Sequence, residues 1–299
     1  MTALAEAAPA TPPRLQAVRR FARAYARMPT AMAGLAVLVA VTLLALTAPL
    51  FIHQSALNVV GSTGPSLAPP SARYPLGTDQ AGRSVLTLLI WGTRPSLAIG
   101  VIATLLTMVV GAAIGLLAGH FGGMTSRLLM AVTDWFIALP SLPLAISLAA
   151  VLGQGDTSIT IAIAVTSWPG TARLIRAQTL AVEARPFIER AQALGAGHTQ
   201  LMTRQVLPNV APLILVSSTL TVADAILSET TLTFLGLGNP TDVSWGSMLN
   251  QAFGQGAVTA GAWWYVIPPG IAILIVVLGF TLVGRAVEAI LNPRLPRKS

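Results

Sequence analysis

Apolar residues in this chain gather into long unbroken runs separated by short polar stretches. A hydrocarbon core about 30 Å thick takes about 20 residues of helix at 1.5 Å each. Six runs approach that length, at residues 31–52, 96–119, 128–152, 157–172, 210–231 and 263–284. None shows the alternation over about ten residues that marks a barrel strand. The pattern therefore predicts an all-α polytopic membrane protein with six transmembrane helices. The fourth run is short and Trp168-Pro169-Gly170 interrupts its end, so its helix is expected to continue past Arg173 and Arg176 into the headgroup layer. Residues 85–91 are apolar too, but Arg94-Pro95 follows within one turn, and the run reads as an interfacial helix lying on the membrane.

Composition agrees with the runs. Hydrophobic residues make up 54% of the chain and charged residues 9%, against roughly 25% charged in a soluble domain. The basic residues set the orientation. Placing the first 30 residues inside puts five arginines in that tail, Arg127 in the next inner loop, five arginines in the loop before the fifth run, and Arg285, Arg294, Arg297 and Lys298 at the far end. Only Arg73, Arg83 and Arg94 then lie outside, so both termini are expected in the cytoplasm. The net charge of +8 follows from this topology and from anionic lipid, not from nucleic acid. The chain divides into a tail over 1–30, a membrane domain over 31–290 and a tail over 291–299. Residues 1–13 read as disordered, Arg14 to Arg27 as a basic amphipathic helix carrying Phe21 and Tyr25 on one face, and the first apolar run as a retained helix, not a cleaved signal.

Several chemistries are excluded. There is no cysteine, hence no disulfide and no thiolate metal site; His53, His120 and His198 are dispersed, which argues against a histidine metal site. The only lysine is Lys298, so no Gly-rich segment is a phosphate-binding loop ending in Lys, and no span holds a histidine for a hydrolytic pair. No catalytic, cofactor-binding or metal-binding residue is expected in this chain.

The long polar loop before the fifth run has an internal pattern. Glu189-Arg190-Ala191-Gln192-Ala193-Leu194 continues a helix that Gly195-Ala196-Gly197 ends, because glycine takes the left-handed conformation at a helix C-terminus without a Cβ clash. A second short helix is expected through Leu201-Met202 until Pro208, and Pro208 and Pro212 suit the first turn of the fifth span. The product is an angled helix pair at about 180–208, a docking surface at the membrane.

This segment resembles the E-A-A-x-x-x-G-x(9)-I-x-L-P signature of importer-type ABC permeases. Glu189, Ala191, Gly195, Leu207 and Pro208 match; Arg190 replaces the middle alanine, and Gln205 stands where an apolar residue is usual. Tyr74-Pro75-Leu76-Gly77-Thr78-Asp79-Gln80-Ala81-Gly82-Arg83, with Trp91-Gly92-Thr93-Arg94-Pro95-Ser96-Leu97, is similar to a stretch of the C-type permeases of dipeptide, oligopeptide and nickel importers, although Ser84 replaces the final Asp. Ile226-Leu227-Ser228-Glu229, Leu232 to Gly238 and Ser244-Trp245-Gly246 resemble the same subfamily. The resemblance covers roughly residues 28 to 296. It implies the importer permease fold over 31–290, with ATPase coupling through Glu189, Arg190, Ala191, Gly195, Leu207 and Pro208. It also implies a homologous second permease forming the other half of the pore, two ATP-binding subunits or domains that hold ATP and Mg, and an extracytoplasmic substrate-binding protein. The cargo implied is a peptide or similar small solute. A nickel or other solute importer of the same subfamily, or a gradient-driven secondary transporter, is the alternative.

Individual residues carry further expectations. Asp224, about 15 residues or about 22 Å into the fifth span, and Glu229 near its outer end are the candidates for the translocation pathway, since a carboxylate in lipid costs at least ~2.5 kcal/mol. For Glu229, helix packing is the stronger reading. Asp134 is expected to pair with Arg127. Gly77-Thr78-Asp79 reads as a turn whose Thr78 or Asp79 caps a helix over 80–90. Trp245, Trp263, Trp264 and Tyr265 read as an interfacial aromatic belt. Gly111, Gly115 and Gly119 permit a close helix approach, expected within the chain ahead of a subunit contact. No internal repeat supplies a second half of the pore.

Overall fold

The computed structural model describes residues 13–59 and 62–291. Their regular elements are helices: α1 (Pro13–Ala26), α2 (Pro29–Phe51), α3 (Val85–His120), α4 (Gly123–Ala138), α5 (Ser141–Leu152), α6 (Asp156–Glu183), α7 (Pro186–Ala193), α8 (His198–Leu201), α9 (Leu207–Phe234), α10 (Trp245–Gly254) and α11 (Trp263–Leu291), besides short 3-10 and π turns. The expectation of disorder over residues 1–13 falls, but for Pro13, outside the described residues, as does the tail after Leu291. The basic amphipathic helix is α1, where Phe21 stacks on Tyr25 at 6.2 Å between ring centroids.

Against the six spans expected, four stretches among the described residues have the length and apolarity of a span, or five if one bent pair of helices counts as one. α2, α3, α11 and the continuous stretch His198–Phe234 are each long and apolar enough to cross a membrane. The third expected span is not the single helix predicted over 128–152. It is the pair α4 and α5, bent by 91°. Leu139 before Pro140 is extended, at φ −83° and ψ 135°, because a proline ring disfavours helical backbone in the residue before it. α6 runs on to Glu183, past Arg173 and Arg176, as its sequence implied.

The expected interfacial helix over 85–91 does not exist as a separate element. Val85 and Leu88 are fully buried and open a 36-residue helix that continues through Arg94-Pro95 to His120. Contacts from the α10 entry pack against the helix on either side of the proline. The Trp245 indole N–H donates to the Leu89 carbonyl at 3.1 Å, the Thr93 hydroxyl donates to the same carbonyl at 3.1 Å, and the Ser96 hydroxyl accepts from the Trp245 backbone N–H at 3.3 Å. Arg94 is exposed and lies over the Trp91 ring, 4.8 Å from its centroid.

α3 and α6 run parallel in the centre. Gly111, Gly115 and Gly119 lie along their contact: a Cβ on Gly115 would sit 2.6 Å from the Ala172 carbonyl oxygen and 2.8 Å from the Ile175 Cβ, and one on Gly111 would sit 2.7 Å from the Thr171 Cβ. Only hydrogen fits there, so the glycine row serves packing inside this chain. Outside, large apolar residues such as Leu46 and Val109 stay exposed at 70% and 67%, a surface that suits lipid or another membrane subunit.

The segment between α2 and α3 is pinned at the end of the bundle that holds α10. The expected cap by Thr78 or Asp79 is replaced by Ser84, whose hydroxyl accepts from the Thr87 N–H at 3.5 Å at the start of α3. Asp79 instead accepts from the Arg83 backbone N–H and from its guanidinium, each at 2.7 Å, and Arg83 donates onward to the Leu57 carbonyl and to Gln251. Thr78 donates to the Pro65 carbonyl and accepts from the Ala68 N–H. The aromatic belt is also revised. Trp245 and Tyr265 are fully buried among Val85, Leu88, Ile226 and Met248, whereas Trp263 is exposed and Trp264 half-buried.

Candidate coupling hairpin and polar membrane face

The hairpin forms at the opposite end of the bundle, where α3 and α6 finish and α9 begins. α7 starts with Pro186, whose missing N–H is no loss in a first turn. It ends in a paired set of bonds in which the Gly195 N–H donates to the Gln192 carbonyl at 2.9 Å and the Ala196 N–H to the Ala191 carbonyl at 3.0 Å. Such a cap requires the left-handed conformation at its glycine, and Gly195 has φ +84°. The helix-glycine-helix reading of the sequence is therefore correct here. It fails beyond: α8 does not stop at Pro208 but passes through a π turn, Met202–Val206, into α9, so the hairpin's second arm is the start of a membrane helix.

The hairpin has a buried face and a bare one. Ile188, Leu201, Val206 and Val210 are buried against Leu116, Ile175 and Val182 of α3 and α6. Glu189, Arg190 and Gly195 share the exposed corner, and Leu194 stands 89% exposed beside them. Ala191 is half-buried and packs inward; Leu207 and Pro208 are exposed at the α9 entry, apart from that corner in the chain. A polar network joins the hairpin to the two central helices. His120, the last residue of α3, meets Glu183 at the end of α6 at 2.6 Å, and its other ring nitrogen meets His198 of α8 at 3.0 Å. These histidines, 78 residues apart, carried no sequence signal that would pair them.

The acidic candidates separate. Asp134 does not bond Arg127; it accepts from Arg173 on α6 at 2.7 Å, in a pair more than half exposed on both sides. Glu229 is 0% exposed between α9, α3 and α10, in accord with the packing reading. The hydroxyls of Thr230 and Thr233 approach its carboxyl at 3.4 Å. Gly246 lets α10 close over the site, since a Cβ there would overlap the Thr233 hydroxyl. The segments at 74–97, 226–238 and 244–246 thus meet in one packed end of the molecule, and Glu229 belongs to that packing. Asp224 is different. It is exposed and opens on a cavity of about 320 Å³ lined by Ser167, Gly170 and Leu174 of α6 and by Ser217 and Thr221 of α9.

Comparison with known proteins places this architecture. Residues 111–297 match the family described as the binding-protein-dependent transport system inner membrane component. The di/tripeptide transport system permease protein DppC of Pseudomonas aeruginosa is 36% identical over 305 residues, covering 96% of this chain and 97% of its own. The oligopeptide transport system permease protein OppC of Bacillus subtilis is also 36% identical, over 89% of this chain and 86% of its own, and the glutathione transport system permease protein GsiD of Pectobacterium atrosepticum is 35% identical over 76% and 74%. A chain in a solved structure of the MetNI methionine ABC transporter, in inward-facing conformations, superposes with a TM-score of 0.55 at 20% identity, covering 68% of this chain and 96% of that one. The bundle, the hairpin and these relatives lead to one conclusion: the chain belongs to the binding-protein-dependent transport system inner membrane component family and is a permease component of an ABC importer.

Proposed function

We propose that this chain forms half of the translocation pathway for peptides or similar small solutes, beside a homologous second permease, and that its α7 corner docks in ATPase subunits. The hairpin carries this reading: its inner face is fastened to α3, α6 and α9 by Ile188, Leu201 and the His120–Glu183–His198 contacts, while Glu189, Arg190 and Leu194 face outward. A push on that corner reaches three long helices at once. Ala193, Leu194 and Gly195 present the small and apolar surface that a helix in a cleft requires, Ala191 packs inward beneath it, and Leu207 and Pro208 begin the helix that receives the movement.

ATP and Mg belong to the partner ATPases in this reading, and hydrolysis is theirs. An extracytoplasmic binding protein delivers cargo to the α10 end. The hairpin and both termini face the cytoplasm of a bacterial cell, in accord with the arginines at 173–204 and in α1. ATP closes the ATPases, the hairpin follows, and the pathway opens outward; release of the hydrolysis products returns it. The cargo class rests on the names of the relatives. Cross-linking tests the docking claim. The chain has no native cysteine, so Ala193→Cys, on the exposed side of α7, gives a single site. It is expected to cross-link to an ATPase subunit in the assembled importer, with a yield that changes on adding ATP. A yield no higher than that of a cysteine at Leu46, on the exposed flank of α2, would refute the docking.

A further inference from the structure

A polar stripe runs along one face of α9. Ser217, Thr221, Asp224, Ser228 and Thr231 follow at intervals of four, three, four and three residues, which keeps them on one side of a helix over about 21 Å. None of the five is buried within the chain. Ser228 and Thr231 donate back to the carbonyls of Asp224 and Leu227, so part of the stripe is satisfied by its own helix. The Asp224 carboxylate is not. Among the described residues no cation and no donor lies within hydrogen-bonding distance of it. α9 carries no Lys, Arg or His, and Arg173, beside the cavity-lining Leu174 in the chain, is held by Asp134 at 2.7 Å.

An unpaired carboxylate on a membrane helix cannot face hydrocarbon cheaply and turns to water or to a cation. Here it opens on the cavity between α6 and α9, whose other polar walls are the hydroxyls of Ser167, Thr171, Ser217 and Thr221. Hydroxyls give and accept hydrogen bonds without charge preference, so the only formal charge on the cavity wall is negative. Resting on the pathway role proposed above, we infer that Asp224 is the cation-selecting point of the route, where the primary ammonium group of the cargo, such as the amino terminus of a peptide, is favoured over carboxylate-first passage. One charge suffices for such a bias, because a low-dielectric cleft lined by one sign of charge concentrates the opposite sign about tenfold or more.

The test uses the assembled importer in proteoliposomes, with single cysteines at Ser217 or Thr221 as reporters and Asp224 in place, labelling being read as a mass shift on this chain. A cationic methanethiosulfonate is expected to react about tenfold faster than an anionic one of equal size in at least one nucleotide state, and Asp224→Asn to bring the ratio near one. Dialanine uptake driven by ATP is expected to fall several-fold in Asp224→Asn and to recover in Asp224→Glu. Equal rates with both reagents overturn the inference. So does a lack of reaction in every nucleotide state, which would put the stripe against lipid or a partner helix, and so does unchanged dialanine uptake in Asp224→Asn. Failure of the underlying function shows separately, as absence of ATP-driven uptake in the assembly whose Asp224 is native, while the labelling ratio still reports on the cavity's charge.

Discussion

Replacing Gly195 by valine isolates the hairpin's contribution to coupling. Gly195 has φ +84°, and a Cβ built on it meets nothing within 4 Å, so the substitution introduces backbone strain without a clash. A left-handed conformation costs an L-residue about 1–2 kcal/mol, with β-branched residues at the upper end. That range shifts the balance between the capped turn and its alternatives by about 5- to 30-fold. The loss stays local, because Ile188, Leu201 and Val206 still anchor the two arms. Gly197 supplies the control two residues away: φ is −74° and its surroundings are equally open, so Gly197→Val strains nothing. The assay is solute uptake per ATP hydrolysed by the assembled importer in proteoliposomes, with thermal melting of the purified chain in parallel. Gly195→Val is expected to lower that ratio by about 5- to 30-fold, to leave melting almost unchanged and to leave ATP hydrolysis running. Gly195→Asn should fall between, since Asn tolerates the left-handed region. Equal losses in Gly195→Val and Gly197→Val would show that bulk, not backbone geometry, is responsible, and normal coupling in Gly195→Val would refute the reasoning outright.

Three further outcomes follow from packing and polar contacts. Gly115→Ala forces a methyl group to within 2.6 Å of the Ala172 carbonyl oxygen and should destabilise the chain by about 1–3 kcal/mol, seen as a lower melting temperature, whereas Gly170→Ala, with nothing within 4 Å, should not. His198→Ala removes the partner 3.0 Å from His120 and should speed hydrogen exchange at the amides of residues 194–201 by a factor equivalent to about 1 kcal/mol; unchanged exchange would mean the network does not hold the hairpin. Asp79→Ala leaves the Arg83 guanidinium buried without its carboxylate and should cost about 3–5 kcal/mol, enough to lose most folded protein, while the double variant with Arg83→Met should recover part of it; no rescue would contradict a buried pair.

What the chain revealed in advance was local. The Gly195 turn needs one glycine and its neighbours, the continuation of α6 needs only a polar helical stretch, and the row Gly111, Gly115 and Gly119 advertises a close contact on its own. What it concealed was non-local. Pro95 reads as a breaker, and nothing nearby in the sequence shows that α3 runs through it with Trp245 bonded to the Leu89 carbonyl, 156 residues away in the chain. For Glu229 packing is the stronger reading of the sequence, but what encloses it does not show there, because α10, which Gly246 lets close over the site, starts only at Trp245. Asp134 chose Arg173 over Arg127 because α4 packs beside α6. The 91° bend between α4 and α5 was present in Leu139-Pro140, but an unbroken apolar run hid it, since hydropathy is blind to backbone direction.

The most direct measurement is solute uptake into proteoliposomes holding this chain, with its second permease, ATPases and binding protein added or withheld. Uptake of dialanine is expected only in the complete assembly, dependent on ATP and indifferent to proton or sodium gradients, with the chain alone inert. Gradient-driven uptake by this chain in the absence of the other subunits would contradict the account at its base.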